Sequence, residues 1–151
     1  MKLMTLVLAL LFITSCGEQK TRIKIPDNFK ADGMSFKTYH KYCGPQNLHN
    51  KQNFSKMRNA KIKWKGTVYL VVDDDASTNY AKKTIKVKMD GTSSAFSDIT
   101  LRMPTDSLSQ IEKLKKGDIV QFIGVVSYIG SGLNDHVVTV SKYKFTRPKK
   151  K

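Results

Sequence analysis

Asp73, Asp74 and Asp75 form the densest group of carboxylates in the chain. Three neighbouring acids could offer oxygens to Ca²⁺, but a calcium loop of the EF-hand kind needs acids at alternating positions, a glycine and a distal glutamate. None of that spacing is present, and the triplet reads as a solvated loop between strands. Val71-Val72-Asp73 also brings acids to the end of a strand, where a nuclease would pair carboxylates around a metal and use arginine on the phosphoryl transition state. Arg102 lies within the expected barrel, Arg58 before it and Arg147 just after it, and no glutamate stands at a matching interval. His40, His49 and His136 are dispersed without His/Cys spacing for zinc, and no serine, nor Cys43, sits in a nucleophile motif. The residue types therefore point away from catalysis, and no metal or cofactor is expected.

Lysine is the stronger signal. Lys61, Lys63 and Lys65 alternate with Ile62 and Trp64, and Lys86 and Lys88 alternate with Ile85, Val87 and Met89. If both stretches are strands, these lysines project together from one outer surface, with Tyr69, Tyr80 and Phe96 as stacking platforms beside them. The candidate ligand-binding residues are Lys63, Lys65, Tyr69, Lys86 and Lys88. Alternating lysine also keeps an exposed sheet from pairing with another edge, so this pattern has two readings. The 151-residue chain has 27 basic and 12 acidic residues, a formal charge of +15. Such an excess attracts polyanions or simply solubilises, and says nothing about fold.

The elements that must position these residues follow from periodicity. From Ala60, period two sets Ile62, Trp64, Val68, Leu70 and Val72 inward, with Gly66 inside the strand as a bulge or bend that lets it serve two sheets. Residues 73–82 are turn-rich, 84–89 form a second strand ended by Asp90-Gly91, and 98–103 a third ended by Pro104. Residues 107–114 read as a short helix with Leu108, Ile111 and Leu114 on one side and Ser107/Gln110 as a capping box. Gly117-Asp118 leads into a fourth strand over 119–126, and 130–134 into a fifth over 136–145. Upstream, Phe36, Tyr39 and Cys43 share one side of a helix that Gly44-Pro45 ends. The expected fold is mainly β: a five-stranded OB-fold-like Greek-key barrel with one short helix between strands three and four. Residues 60–145 suffice for one core, with the domain taken as 36–146 including its helical extension and 147–151 as a basic tail.

The N-terminus carries a different kind of motif. Lys2 precedes an apolar run from Leu3 to Ile13, closed by Thr14, Ser15 and Cys16, which is an export signal. The run is too short to span a ~30 Å hydrocarbon core, which takes about 20 residues. Ile13-Thr14-Ser15-Cys16 resembles the lipobox of bacterial lipoproteins. The resemblance implies removal of residues 1–15, acylation of Cys16, and a lipid-anchored protein of the bacterial cell envelope. Gly17 rather than Asp after the cysteine leans, by the same resemblance, towards the outer membrane. Several acyl chains on one cysteine hold durably where a single chain does not. Losing Lys2 leaves 26 basic and 12 acidic residues, or +14. With Cys16 acylated, Cys43 has no partner within the chain in an oxidising compartment and is either a buried thiol or paired with another chain. Residues 16–35, polar and without period, read as the lipidated cysteine and a flexible tether that lets the module stand off the membrane.

The segment Leu114-Lys115-Lys116-Gly117-Asp118-Ile119-Val120-Gln121-Phe122-Ile123-Gly124 resembles the helix-to-fourth-strand passage of many OB-folds, including those of small exported proteins. Phe36-x-x-Tyr39-x-x-x-Cys43 followed by Trp64-x-Gly66-x-Val68 is similar to the start of the C-terminal OB-fold domain of the wolframin family, over roughly residues 36–145. Where that family places a second cysteine, this chain has Phe54, so the equivalent disulfide cannot form. The resemblance implies an exported interaction module without catalytic residues. The expected function is thus a non-enzymatic envelope module whose basic face engages a partner protein or an anionic polymer, nucleic acid being disfavoured by the compartment. A structural or assembly role, with the basic face and Lys149 to Lys151 against anionic lipid, is the alternative; a metal-dependent nuclease comes third.

Overall fold

The strand that starts at Lys61 is long enough to have two neighbours. In the computed structural model, which describes residues 20–74, 79–91, 97–129 and 136–149, β1 runs Lys61–Asp73. It is followed by β2 (Lys83–Met89), β3 (Ile99–Arg102), β4 (Ile119–Tyr128) and β5 (Val137–Thr146). Residues 61–67 of β1 pair antiparallel with β4, and residues 66–73 pair antiparallel with β2. Gly66 and Thr67 are the shared positions, Gly66 standing opposite Val120 on one side and Met89 on the other. β2 pairs with β3, β3 runs parallel to β5, and β5 closes on β4, giving a closed barrel in the order β1-β2-β3-β5-β4. This is the OB-fold-like arrangement expected from the element order.

Alternation in β1 holds only as far as Val68. Ile62, Trp64 and Val68 are buried, but the pairing with β2 shifts between Val68 and Leu70, so Tyr69 is an extra residue. A bulge slips the two-residue period by one. Leu70 and Val72, expected inward, are therefore exposed by 52% and 36%, and Val71 packs on the core instead. Gly66 is not the bulge. Its role is close approach: a Cβ there would overlap a Val87 methyl and stand 2.9 Å from both Lys88 O and Met89 Sδ.

Each open end of the barrel is covered. At the end where β1 begins sits α1 (Phe36–Cys43), capped by Ser35 Oγ, which accepts from the Thr38 N–H at 3.1 Å. Phe36, Tyr39 and Cys43 face inward as their spacing requires. A second helix, α2 (Asn50–Met57), was not legible in the sequence, because its buried residues are Asn53, Phe54 and Met57 and its remainder is polar. Trp64 joins plug to barrel: its Nε1–H donates to Met34 O at 2.8 Å, and its ring lies 5.3 Å from those of both Phe36 and Tyr39. At the opposite end a 3₁₀ turn (Thr105–Ser107) leads into α3 (Leu108–Ile111), and Ile111 enters the core. The expected capping box is absent: Ser107 is buried and its Oγ donates to Pro104 O at 2.6 Å. Gly117, at φ +95°, then turns the chain so that its N–H donates to Val68 O at 2.9 Å.

The tether expected over 16–35 is also largely folded from residue 21 onward. Ile25 and Met34 belong to the core, and the buried side chains of Asn47 and Asn53 accept from the N–H groups of Ile23 and Ile25. The same two amides donate to Ile23 O and Tyr42 O. Those bonds come from asparagines more than twenty residues away, which local polarity could not show. Residues 1–19, the loop 130–134, Asp75, Phe96 and the last two lysines of the tail lie outside the described residues, Cys16 among them. No helix among the described residues is long and apolar enough to cross a membrane.

Cys43 is a buried free thiol whose S–H donates to Met57 Sδ at 3.4 Å, and burial pushes its pKa up to about 12. Thiol reagents should therefore modify the folded full chain at Cys43 only after denaturant is added, a result read by mass spectrometry; rapid labelling without denaturant would contradict this burial. An unfolded thiol loses its proton near pH 9, while the folded one keeps it to about 12, so this group's stabilisation is complete below pH 9 and is lost as pH rises between those values. Gly66→Ala should lower stability by about 1–3 kcal/mol, seen as a lower urea midpoint, because the added methyl meets Lys88 backbone as well as side chains.

Candidate ligand-binding cleft

β2 and β3 present their outward residues in register. Thr84 lies opposite Arg102 and Lys86 opposite Thr100, so two cross-strand pairs each hold one cation and one hydroxyl on alternating strands. Their inward neighbours, Ile85, Val87, Ile99 and Leu101, are fully buried, which fixes the direction of the others. Above them opens a cleft of about 310 Å³ lined by these four residues together with Asp74, Tyr128 and Val137. Thr84 and Thr100 are almost wholly buried and form its floor. Asp74, just beyond β1, stands on one side; Tyr128 at the end of β4 and Val137 at the start of β5 stand on the other.

Two cations dominate this cleft. Lys86 Nζ donates to Thr100 Oγ1 at 2.7 Å, which holds the ammonium over the floor. The Arg102 guanidinium lies 5.9 Å from the centre of the Tyr80 ring, a distance at which the ring face attracts it. Neither cation forms an ion pair with a carboxylate among the described residues. Tyr128 is 56% exposed, large and flat, and offers a stacking surface at the rim. Among the described residues Asp74 is the single carboxylate in the lining, and its own neighbour Asp73 is engaged by Lys83 at 2.5 Å. A cleft with two fixed cations, two hydroxyls and an aromatic wall suits an anionic group carried on a chain or ring.

The five candidate residues named from sequence are divided by the barrel. Lys86 lies in the cleft. Lys63 lies on the β1–β4–β5 surface, opposite Ile123, and lines a shallow groove of about 180 Å³ with Lys142, Tyr143 and Lys144. Lys65 stands opposite Gln121, whose other neighbour is Lys144. Lys88 pairs across from Thr67, and Tyr69 sits at the bulge beneath Lys116, whose Nζ is 4.9 Å from the ring centre. The expected single basic face is thus at least two surfaces, because a closed barrel turns its strands away from one another. Arg102, Thr100 and Tyr128 were missed; the signal for Arg102 was its place at the end of the third strand, where it is the strand's one charged residue.

The histidines are apart, as their spacing suggests. His49 Nδ1 contacts Gln52 Oε1 at 3.1 Å, and the His40 ring packs 5.8 Å from that of Phe36. His136 is buried, and its Nδ1 shares a 2.6 Å hydrogen bond with the Tyr39 hydroxyl. Burial, and secondarily the nearby Cys43, raises the Tyr39 pKa well above the ordinary phenol value, so this hydroxyl stays protonated. The bond matters for the cleft because His136 precedes Val137 directly, and His136 O accepts from the Thr100 N–H at 2.8 Å. α1 thereby holds one wall of the cleft in place. Among the described residues no group of three His, Cys, Asp or Glu side chains could hold a metal ion.

No family model matches the chain, and no curated protein matches it either.

Tyr39→Phe should remove the 2.6 Å hydrogen bond to the buried His136 Nδ1 and cost about 1–3 kcal/mol, measurable by urea unfolding. An unchanged midpoint would show that the hydroxyl contributes nothing to this wall.

Proposed function

We propose that this protein is a lipid-anchored protein of the bacterial envelope whose barrel binds an anionic ligand across β2 and β3, and that it works by binding without catalysing a reaction. The observation that carries the reading is the pair Lys86 and Arg102, two cations without carboxylate partners among the described residues, set over a buried threonine floor in one cleft. In OB-folds this surface, between the loop after strand one and the loop before strand five, is where extended ligands lie. The ligand class that fits is a chain bearing carboxylate or phosphate groups, supplied either by an envelope polymer or by an acidic segment of a partner protein. Fixed donors would bind its charges and Tyr128 would cover an adjoining flat or apolar part.

The similarity to the lipobox and to the wolframin-type domain belongs to this reading: the first supplies the anchor, the second an exported interaction module. The lysines of β1 and β5 have a separate part in it. They lie outside the cleft, so their field raises the rate of encounter with anions more than the strength of the final contact.

Binding of a fluorescent polyphosphate and a fluorescent polyglutamate to the full chain in detergent, followed by anisotropy, tests the proposal. Lys86→Glu with Arg102→Glu should weaken binding at least tenfold. Lys63→Glu with Lys65→Glu should change it less and mainly flatten its dependence on salt. Equal losses from the two pairs would remove the cleft as the site, and no binding by the unaltered chain would remove the anionic ligand.

A further inference from the structure

The distance between the proposed anchor and the folded module is short. Thr21 is already fixed: its N–H donates to Gln46 O at 2.8 Å, and its carbonyl accepts from the Leu48 N–H at 2.9 Å. Only five residue steps separate Cys16 from Thr21. Fully extended, that chain reaches about 18 Å, well under the length of a 13-residue strand such as β1, at about 3.3 Å per residue. A module on so short a leash cannot stand clear of the bilayer and turn freely. The surface around Thr21 must lie within that reach of the headgroups.

That surface has the chemistry of a lipid contact. Leu48, whose N–H donates to Thr21 O, is 49% exposed, one of few large apolar side chains left in water among the described residues. Lys20 and Arg22 flank Thr21, and Lys41 is close by, its carbonyl accepting from Asn47 Nδ2 at 3.4 Å. All three cations are exposed and none forms an ion pair among the described residues. The wider plug reinforces them. Residues 33–60, which hold α1 and α2, contain five lysines and arginines and no aspartate or glutamate, and the two acids of the preceding segment, Asp27 and Asp32, are engaged by Lys56 Nζ and the Lys61 N–H, each at 2.8 Å. A solubilising surface mixes both signs; one exposed apolar side chain beside three cations that have no ion-pair partner among the described residues is complementary to an anionic interface.

We propose that the plug face around Thr21 and Leu48 docks on anionic phospholipid, with Leu48 entering the headgroup layer and Lys20, Arg22 and Lys41 paired with lipid phosphates. This inference rests on the acylation of Cys16. It replaces a loose tether by a fixed attitude, in which the helical plug is the membrane-proximal end of the barrel and α3 the distal end.

The test uses the full, signal-processed chain in vesicles of phosphatidylglycerol and phosphatidylcholine. Leu48→Cys and, on the distal end, Glu112→Cys are each labelled with a polarity-sensitive dye, Cys43 being buried and Cys16 acylated. Brominated lipids should quench the dye at position 48 at least threefold more than at 112, and replacing phosphatidylglycerol by phosphatidylcholine should abolish most of that difference. Equal quenching at both positions, with the Cys16 peptide acylated by mass spectrometry, would overturn the docking while leaving the anchor intact. An unacylated Cys16 peptide and a chain that does not float with vesicles would overturn both. A label shielded in whole envelopes yet unquenched in vesicles would assign the face to a protein and overturn the lipid.

Discussion

One strand belongs to both halves of the barrel, and the fold depends on that sharing. β1 gives residues 61–67 to β4 and 66–73 to β2, so a single chain segment carries the closure. Two neighbours can meet at Gly66 because nothing projects from it: the space a Cβ would take is filled by Val87 and Met89. The bulge at Tyr69 then completes the change of direction. β3 needs to be only four residues long, because β2 and β5 hold it on either side.

Closure of the sheet leaves two open ends, and the solutions differ in kind. At the α3 end a 3₁₀ turn and one helical turn suffice, with Ile111 as the stopper and Arg147 fixed to the Asp118 carboxylate at 3.2 Å. The arginine's hydrogen bond is the main reason the Asp118 carboxyl lies below the usual carboxylate range. At the other end Phe36 and Phe122 pack edge to face on Trp64 and Tyr39 lies tilted against it, around a single indole hydrogen bond. That aromatic plug does more than cover the core. Through Tyr39 and His136 it reaches the start of β5, and through the His136 carbonyl it reaches Thr100 on the cleft floor.

The charge of the protein is therefore arranged as well as abundant. Lys86 and Arg102 sit in a recess lined by two threonine hydroxyls, Lys63, Lys142 and Lys144 lie on an open sheet, and Lys20, Arg22 and Lys41 lie exposed beside Leu48 at the plug. In each place the local geometry gives the same charge a different use. Under the proposed function, the recess would desolvate and orient an anion, the open face would contribute a long-range field, and the plug beside the proposed anchor would meet a planar surface.

The sequence by itself determined the barrel, its element order, the α1 stripe of Phe36, Tyr39 and Cys43, and the turns at Asp90-Gly91 and Gly117-Asp118. These follow from local rules: period two for strands, three to four for helices, and glycine where the backbone turns left-handed. It missed α2, whose buried side includes an asparagine, and the folding of residues 21–34, which is held by Asn47 and Asn53 from afar. It also placed Leu70 and Val72 inside, because one bulged residue reverses every assignment after it. Most of all, only the tertiary structure decided which lysines share a site. Alternation states that a side chain points outward, but on a closed barrel outward is a different direction for each strand. That is why Lys86 found Arg102 and Tyr128 across β3 and the last strands, while Lys63 and Lys65 faced Lys142 and Lys144 instead.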